Sequence, residues 1–186
     1  MAELPAPARR ALEYLSPERR EPQTILSILL DPEALQKLIM VAGFEAEVMF
    51  STSRVAWLCP AGYITDMVVS IARGWNCVSG YVVISSNYYS PDIVVYVYAD
   101  DNPVTPGGVV LTGETKVSFG QYFVLRRSYR ISVYNYTDTD VYVSKLTHDV
   151  LLTDRLLREF YMPLLRYAKE RLVEMTRAMI PARPTR

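Results

Sequence analysis

The side chains that could do chemistry in this chain are few. His148 is the sole imidazole, in Lys145-Leu146-Thr147-His148-Asp149. Serine–histidine or cysteine–histidine catalysis would have to use it. No Gly-x-Ser-x-Gly elbow supplies a partner nucleophile. The segment falls between the last expected strand and a long C-terminal helix, so His148 reads as a polar residue at an element boundary. A single imidazole and no Cys-x-x-Cys pair argue against a zinc site. Pro106-Gly107-Gly108 lacks the lysine and the strand–loop–helix setting of a phosphate loop, and no Gly-x-Gly-x-x-Gly occurs.

Carboxylates cluster twice, as Asp100-Asp101-Asn102 and as Asp138-x-Asp140, both in expected inter-strand loops. Asp100, Asp101, Asp138 and Asp140 are candidate calcium ligands, since that cation takes carboxylate and carbonyl oxygens. Turn formation accounts for the same residues without a metal. Two of them meeting across a cleft would suit glycoside hydrolysis, although nothing in the spacing brings them together. No cofactor is expected and no enzyme activity is read from these residues.

Tyrosine is the unusual constituent. Eleven of the 14 lie between Tyr63 and Tyr142. Tyr88, Tyr89 and Tyr136 fall in expected loops, where aromatic rings supply contact area at low entropic cost. They are the candidate ligand surface, for a partner protein or for a glycan. Tyrosine also simply fits half-buried strands. Cys59 and Cys77 are too few for a disulfide framework, and free thiols packed as small apolar groups are the favoured reading.

Composition excludes several classes. The 186 residues balance 20 basic against 20 acidic side chains and are half hydrophobic. That is neither a polybasic nucleic-acid module nor a disordered chain. No signal-type leader and no apolar run of spanning length is seen, so a virion or cytoplasmic location is expected. The balance is uneven along the chain: residues 1–46 and 47–153 are each −2, and residues 154–186 are +4. Acids interleave with the basic residues of that last segment, which argues against nucleic acid as its partner. Sixteen arginines against four lysines, with few glutamines, suit a GC-rich genome or a thermophilic source.

The elements that must position these residues follow from periodicity. Pro5, Pro7, Pro17 and Pro22 predict an extended arm over 1–22, with at most one short helix near Ala8–Leu15. A helical segment is expected over 23–46. Asp31-Pro32-Glu33 caps and starts a helix, Leu35, Leu38, Ile39 and Ala42 line it, and Gly43 stops it. From 47 to 153 the pattern becomes short Val-, Ile-, Tyr- and Thr-rich runs about ten residues apart. Eight to ten strands of an antiparallel sandwich are expected, including one at Tyr122–Leu125 and a hairpin over Arg127–Lys145. From 154 to 180 a helix is expected. Leu157, Tyr161, Leu164, Ala168 and Met175 lie on its apolar stripe, with a kink or restart at Pro163. These stripe residues are the candidate interface with a neighbouring subunit. A frayed tail, 181–186, closes the chain.

A tyrosine- and valine-rich sandwich without a catalytic set, between a proline-rich arm and a long helix, resembles the jelly-roll-like structural proteins of virus particles. The resemblance covers about residues 47–150, with Tyr129–Tyr134 and Asn135–Val143 nearest in character, and it is carried by no diagnostic motif. It implies a homo-oligomer that exchanges arms and helices in a shell, spike or fibre, without catalysis or a small-molecule substrate. The same style of sequence also suits a carbohydrate- or receptor-binding module.

Overall fold

The computed structural model describes residues 4–119 and 127–179. They divide into a helical unit, built from residues 4–47 and 154–179, and a β unit, Val48–Thr153. The strand expected at Tyr122–Leu125 and the tail at 181–186 lie outside the described residues.

The β unit contains, among the described residues, β1 (Val48–Cys59), β2 (Ile64–Ser70), β3 (Trp75–Ser86), β4 (Ile93–Ala99), β5 (Asn102–Pro103), β6 (Val109–Val110), β7 (Thr115–Phe119), β8 (Ser128–Asn135) and β9 (Val141–Thr153). One sheet runs β1-β9-β3-β7 and the other β2-β8-β4-β5, with β6 also on β4. Every pairing is antiparallel. The chain changes sheet at each step from β1 to β4 and again from β7 to β9. That alternation is the connectivity of a jelly roll. Alternate residues of both sheets fill the space between them, Val82, Ile84, Val141 and Val143 from one and Val95, Val97, Ile131 and Val133 from the other. The antiparallel sandwich expected from the strand spacing is therefore what forms.

Three details differ from the sequence reading. The residues read as two short β-type runs, Val48–Phe50 and Val55–Leu58, are parts of one twelve-residue strand. β9 does not end near Ser144 but runs on to Thr153, so His148 lies inside a strand and not at an element boundary. The hairpin over Arg127–Lys145 does not exist. β8 pairs with β2 and β4, while β9 pairs with β1 and β3. The intervening turn carries the chain from one sheet to the other.

Asn135 builds that crossover. Its side-chain amide donates to the carbonyls of Cys59 and Thr139, each at 2.9 Å, and its Oδ1 accepts from the Thr137 hydroxyl at 2.6 Å and the Thr137 amide at 3.1 Å. Its backbone N–H and C=O are bonded to Tyr63 and Gly62. At 1% exposure the side chain is sealed in. The Asn135-Tyr136-Thr137 segment is thus a structural knot.

In the helical unit, the 1–22 segment is not an extended arm. It forms α1 (Ala6–Glu13), a 3₁₀ turn at Pro17–Arg20 and the start of α2 (Pro22–Leu30), followed by α3 (Pro32–Ala42). The prolines lie in the first turn of each of these helices, where a missing N–H costs nothing because that donor has no intrahelical partner. They start helices instead of preventing them. α3 opens with Asp31 Oδ1 accepting from the Ala34 amide at 2.7 Å, and closes at Gly43 with φ +79°.

The C-terminal helix comprises α4 (Asp154–Leu156), a π-helical turn at Leu157–Tyr161 and α5 (Met162–Met179). In the π turn the Met162 N–H donates to the Leu157 carbonyl, five residues back. Pro163 follows at once. It has no N–H for the Glu159 carbonyl, and the widened turn accommodates its ring. The expected irregularity at Pro163 takes this form. Arg155 joins Glu47 at 3.0 Å, Tyr161 donates to the Leu29 carbonyl at 3.3 Å, and Phe44 packs on Phe160.

Replacing Asn135 by Ala removes its donations to the Cys59 and Thr139 carbonyls and its acceptance from Thr137, at a buried position. Urea unfolding of Asn135→Ala is expected to show a loss of about 2–4 kcal/mol, whereas Tyr136→Ala beside it is expected to cost little.

Candidate functional site

The two acidic pairs sit at opposite ends of β8. Asp100 and Asp101 are the central residues of a two-residue hairpin between β4 and β5, both with positive φ, 46° and 67°. Such a turn needs left-handed backbone at both positions, which Asp tolerates. Asp100 Oδ1 accepts from the Arg127 and Ser128 amides at 2.8 and 3.0 Å, and Asp101 faces Arg127 at 3.7 Å. Beyond the far end of β8, Asp138 accepts from the Thr139 hydroxyl and Asp140 from the Ala61 amide. An eight-residue strand spans over 20 Å, so these carboxylates do not converge on one cation or one glycosidic bond. No cluster of metal-ligating side chains occurs among the described residues.

The tyrosines divide into two groups. Tyr88, Tyr89 and Tyr136 lie in two segments that are bonded to each other. The Tyr136 N–H donates to the Asp92 carbonyl, and Asn87 Oδ1 accepts from the Tyr142 amide, which ties the 87–92 loop to the 136–142 segment. All three rings are exposed, Tyr136 to 66%.

The second group, which shares Tyr136 with the first, is a ladder on the outer face of the β2-β8-β4 sheet. Tyr96 lies 6.5 Å from Tyr98 and 5.1 Å from Tyr134, and Tyr134 lies 6.1 Å from Tyr136. Arg130 covers one face of Tyr98 at 4.3 Å and pairs with Asp66 at 3.5 Å. Gly108 passes over Tyr96 so closely that a Cβ there would meet its ring at 2.8 Å. Ile64 and Val68 extend the face, both more than half exposed. The strand register makes it legible in retrospect. Ile64 stands opposite Tyr134, Asp66 opposite Ser132, and Val68 opposite Arg130.

The inner face of β9 holds what the sequence hid. Val141, Val143, Lys145, Thr147, Asp149 and Leu151 alternate inward, so three polar residues occupy core positions. Lys145 Nζ reaches the Tyr129 hydroxyl at 3.3 Å, and Thr147 donates to the Ser53 carbonyl at 3.3 Å. Asp149 Oδ1 is buried without a hydrogen-bond partner. Burial pushes the Asp149 carboxyl up to about 7, with Lys145 drawing it back. Burial also lowers Lys145, opposed by Asp149, and raises Tyr129 and Cys77. A lysine–tyrosine–carboxylate set can in principle move protons. Here these side chains are between 1 and 7% exposed. Cys59 and Cys77 are free, buried thiols. His148 points to the other face, against Tyr81 at 4.7 Å and Thr52 at 3.2 Å.

In the helical unit, Leu157, Tyr161, Leu164 and Ala168 are not available to a neighbouring subunit. Each is at most 3% exposed, covered by helices of its own unit, α2 foremost. An amphipathic stripe says that a face is buried, not by which chain. Met175 remains exposed. No helix among the described residues is long and apolar enough to cross a membrane.

No family model matches this sequence, and no curated protein matches it. Among solved structures, a pilus protein of Bacillus endospore appendages is similar over 57% of this chain and 88% of its own, at 15% identity and a TM-score of 0.35. A cyanophage Pam1 capsid chain is similar over 55% and 84%, at 15% and 0.33. A de novo designed double-stranded β-helix is similar over 51% and 97%, at 13% and 0.32. Likeness at this level carries no argument about what the protein does.

Asp149 gives the sandwich a pH signature. Its folded value, about 7, lies above the ordinary 3.8. The folded state therefore binds the extra proton between these values, and stability falls as pH rises from about 4 to about 7. Asp149→Asn keeps the shape without the charge. Urea midpoints measured across this range should fall in the parent and stay nearly flat in the variant.

Proposed function

We propose that this is a non-enzymatic structural protein that self-assembles, a component of a virus particle such as a capsid, spike or tail. The observation that carries the reading is the outward face of the β2-β8-β4 sheet. Ile64, Val68 and Tyr136 are exposed there, beside the half-buried Tyr96 and Tyr134. Contiguous exposed apolar area of this kind marks a surface that another protein covers. Aromatic residues with an arginine among them are what protein interfaces concentrate. The jelly roll supports the virion part by fold-level analogy, since capsid domains use it.

A second reading rests on the first group of tyrosines. Tyr88, Tyr89 and Tyr136 carry exposed rings on two linked segments, which suits recognition of a glycan or a receptor. The ladder suits a glycan less, because its tyrosines pack on one another and on Arg130 and offer few free flat faces.

The full chain is expected to sediment as an oligomer at micromolar concentration. Val68→Asp, on the exposed face, should weaken association at least tenfold without changing the circular dichroism. A chain that stays monomeric up to millimolar concentration would overturn the proposal. If glycan recognition is the function instead, an array shows hits that Tyr88→Ala and Tyr136→Ala abolish.

A further inference from the structure

A sheet edge is a row of backbone N–H and C=O groups that another extended strand can meet in full. Among the described residues the edges of the two sheets are β1 and β7 in one, and β2 and β5 with β6 in the other. All but β1 are blunted. β5 and β6 have two residues each, and β5 ends in Pro103. β7 carries the exposed Lys116. β2 has only seven residues, with the exposed Asp66 among them. Short length, proline and outward charge are the devices that keep an edge from pairing.

β1 is twelve residues long, without proline or lysine, and its register against β9 runs without a bulge. Among the described residues it pairs with β9 alone. In an antiparallel ladder alternate residues aim their N–H and C=O away from the partner strand. The far side of β1 therefore offers such groups along its length. Its outward side chains Phe50, Thr52, Arg54, Ala56 and Leu58 are all exposed, and Arg54 is the strand's one charge.

The strand is complementary to itself. Side chains keep their faces across a twofold axis only if the axis passes through a residue, because the period is two. An axis at Arg54 would set that cation against its own copy. It would also draw in Cys59, whose carbonyl already accepts from the Asn135 amide at 2.9 Å. An axis at Ser53 avoids both. It pairs the stretch from Val48 to Leu58 with itself, setting Val48 opposite Leu58, Met49 opposite Trp57 and Thr52 opposite Arg54. Apolar side chains meet apolar ones, and the charge meets a hydroxyl.

We infer that β1 pairs antiparallel with β1 of a second copy about a twofold axis at Ser53. The two four-stranded sheets become one continuous sheet. Its outer edges are then the two β7 strands, each guarded by Lys116, so the pairing closes at two copies. This contact rests on the self-assembly reading and is separate from the outward face of the β2-β8-β4 sheet.

Sedimentation of the full chain tests it. Thr52→Glu sets a carboxylate opposite Arg54 at two symmetric places and should tighten dimerisation about fivefold, whereas Thr52→Lys sets like charges there and should weaken it about fivefold. Both variants lose the Thr52–His148 contact alike, so only the charge separates them. Thr52→Lys combined with Arg54→Glu restores opposite charges and should recover at least the parent's affinity. Circular dichroism should be the same for all. Any other order of the three, including no effect while Val68→Asp still weakens association, would overturn the inference and leave self-assembly standing. A parent chain monomeric at every concentration would remove both.

Discussion

The pairing of β1 with β9 is the constraint on which the rest depends. Twelve residue pairs run without interruption from Val48 opposite Leu152 to Cys59 opposite Val141. The first and last strands of the sandwich are therefore neighbours, and its two chain ends leave side by side. That geometry lets one helical unit be assembled from the two termini of the sequence. The Arg155–Glu47 pair, at 3.0 Å, joins the two segments where they meet. Without the ladder, residues 4–47 and 154–179 would have to find each other across a loop of more than a hundred residues. Closing such a loop costs entropy that a few helix contacts would have to supply.

The same ladder explains an otherwise costly interior. Lys145, Thr147 and Asp149 hold inward positions on the strand that β1 and β3 flank on both sides. Burying an ion costs several kcal/mol unless partners compensate it. Part of the compensation is visible. Tyr129 meets Lys145, Thr147 meets the Ser53 carbonyl, and β1 places Ser51 and Ser53 opposite Asp149 and Thr147. Burial also acts on the two ionisable groups themselves, raising the Asp149 carboxyl to about 7 and lowering the Lys145 amine. One half of the interior is thus apolar and the other is held by a register-specific polar set. A slip of one residue in β9 would turn Lys145 and Asp149 outward and expose Val141 and Val143. The polar trio makes sense as a register lock.

That trio also marks where the sequence stops being legible. β9 reads as a strand only while its inward residues are Val141 and Val143. Once they become Lys, Thr and Asp, the period of two persists in geometry but not in hydropathy, and no apolar alternation marks the strand's continuation. The capped start and glycine stop of α3, the alternation of β8 and the jelly-roll class were readable because local chemistry and global fold agree there. The prolines at 5 to 22 misled because proline forbids a helix interior yet suits a helix start, and the residues alone do not say which applies. The β8–β9 hairpin failed for a different reason. A turn of polar residues predicts reversal, but only the Asn135 contacts to Cys59 and Thr139 show that the chain returns in the other sheet.

The candidate surfaces divide along the same line. A periodic stripe or a tyrosine count shows that a side chain seeks a contact, and the fold then decides whether its own chain supplies it. For Leu157, Tyr161, Leu164 and Ala168 it does, and for Tyr129, buried at Lys145, it does as well. For Ile64, Val68, Tyr136, Met175 and Met179 it does not. The exposed positions continue patterns whose other members are internally satisfied: the outward residues of β2 and β8, and the stripe of the last helix. A pattern that runs past the end of its own partner retains the complementarity that buried its first half. Each unit therefore carries exposed apolar side chains that continue patterns buried within that same unit.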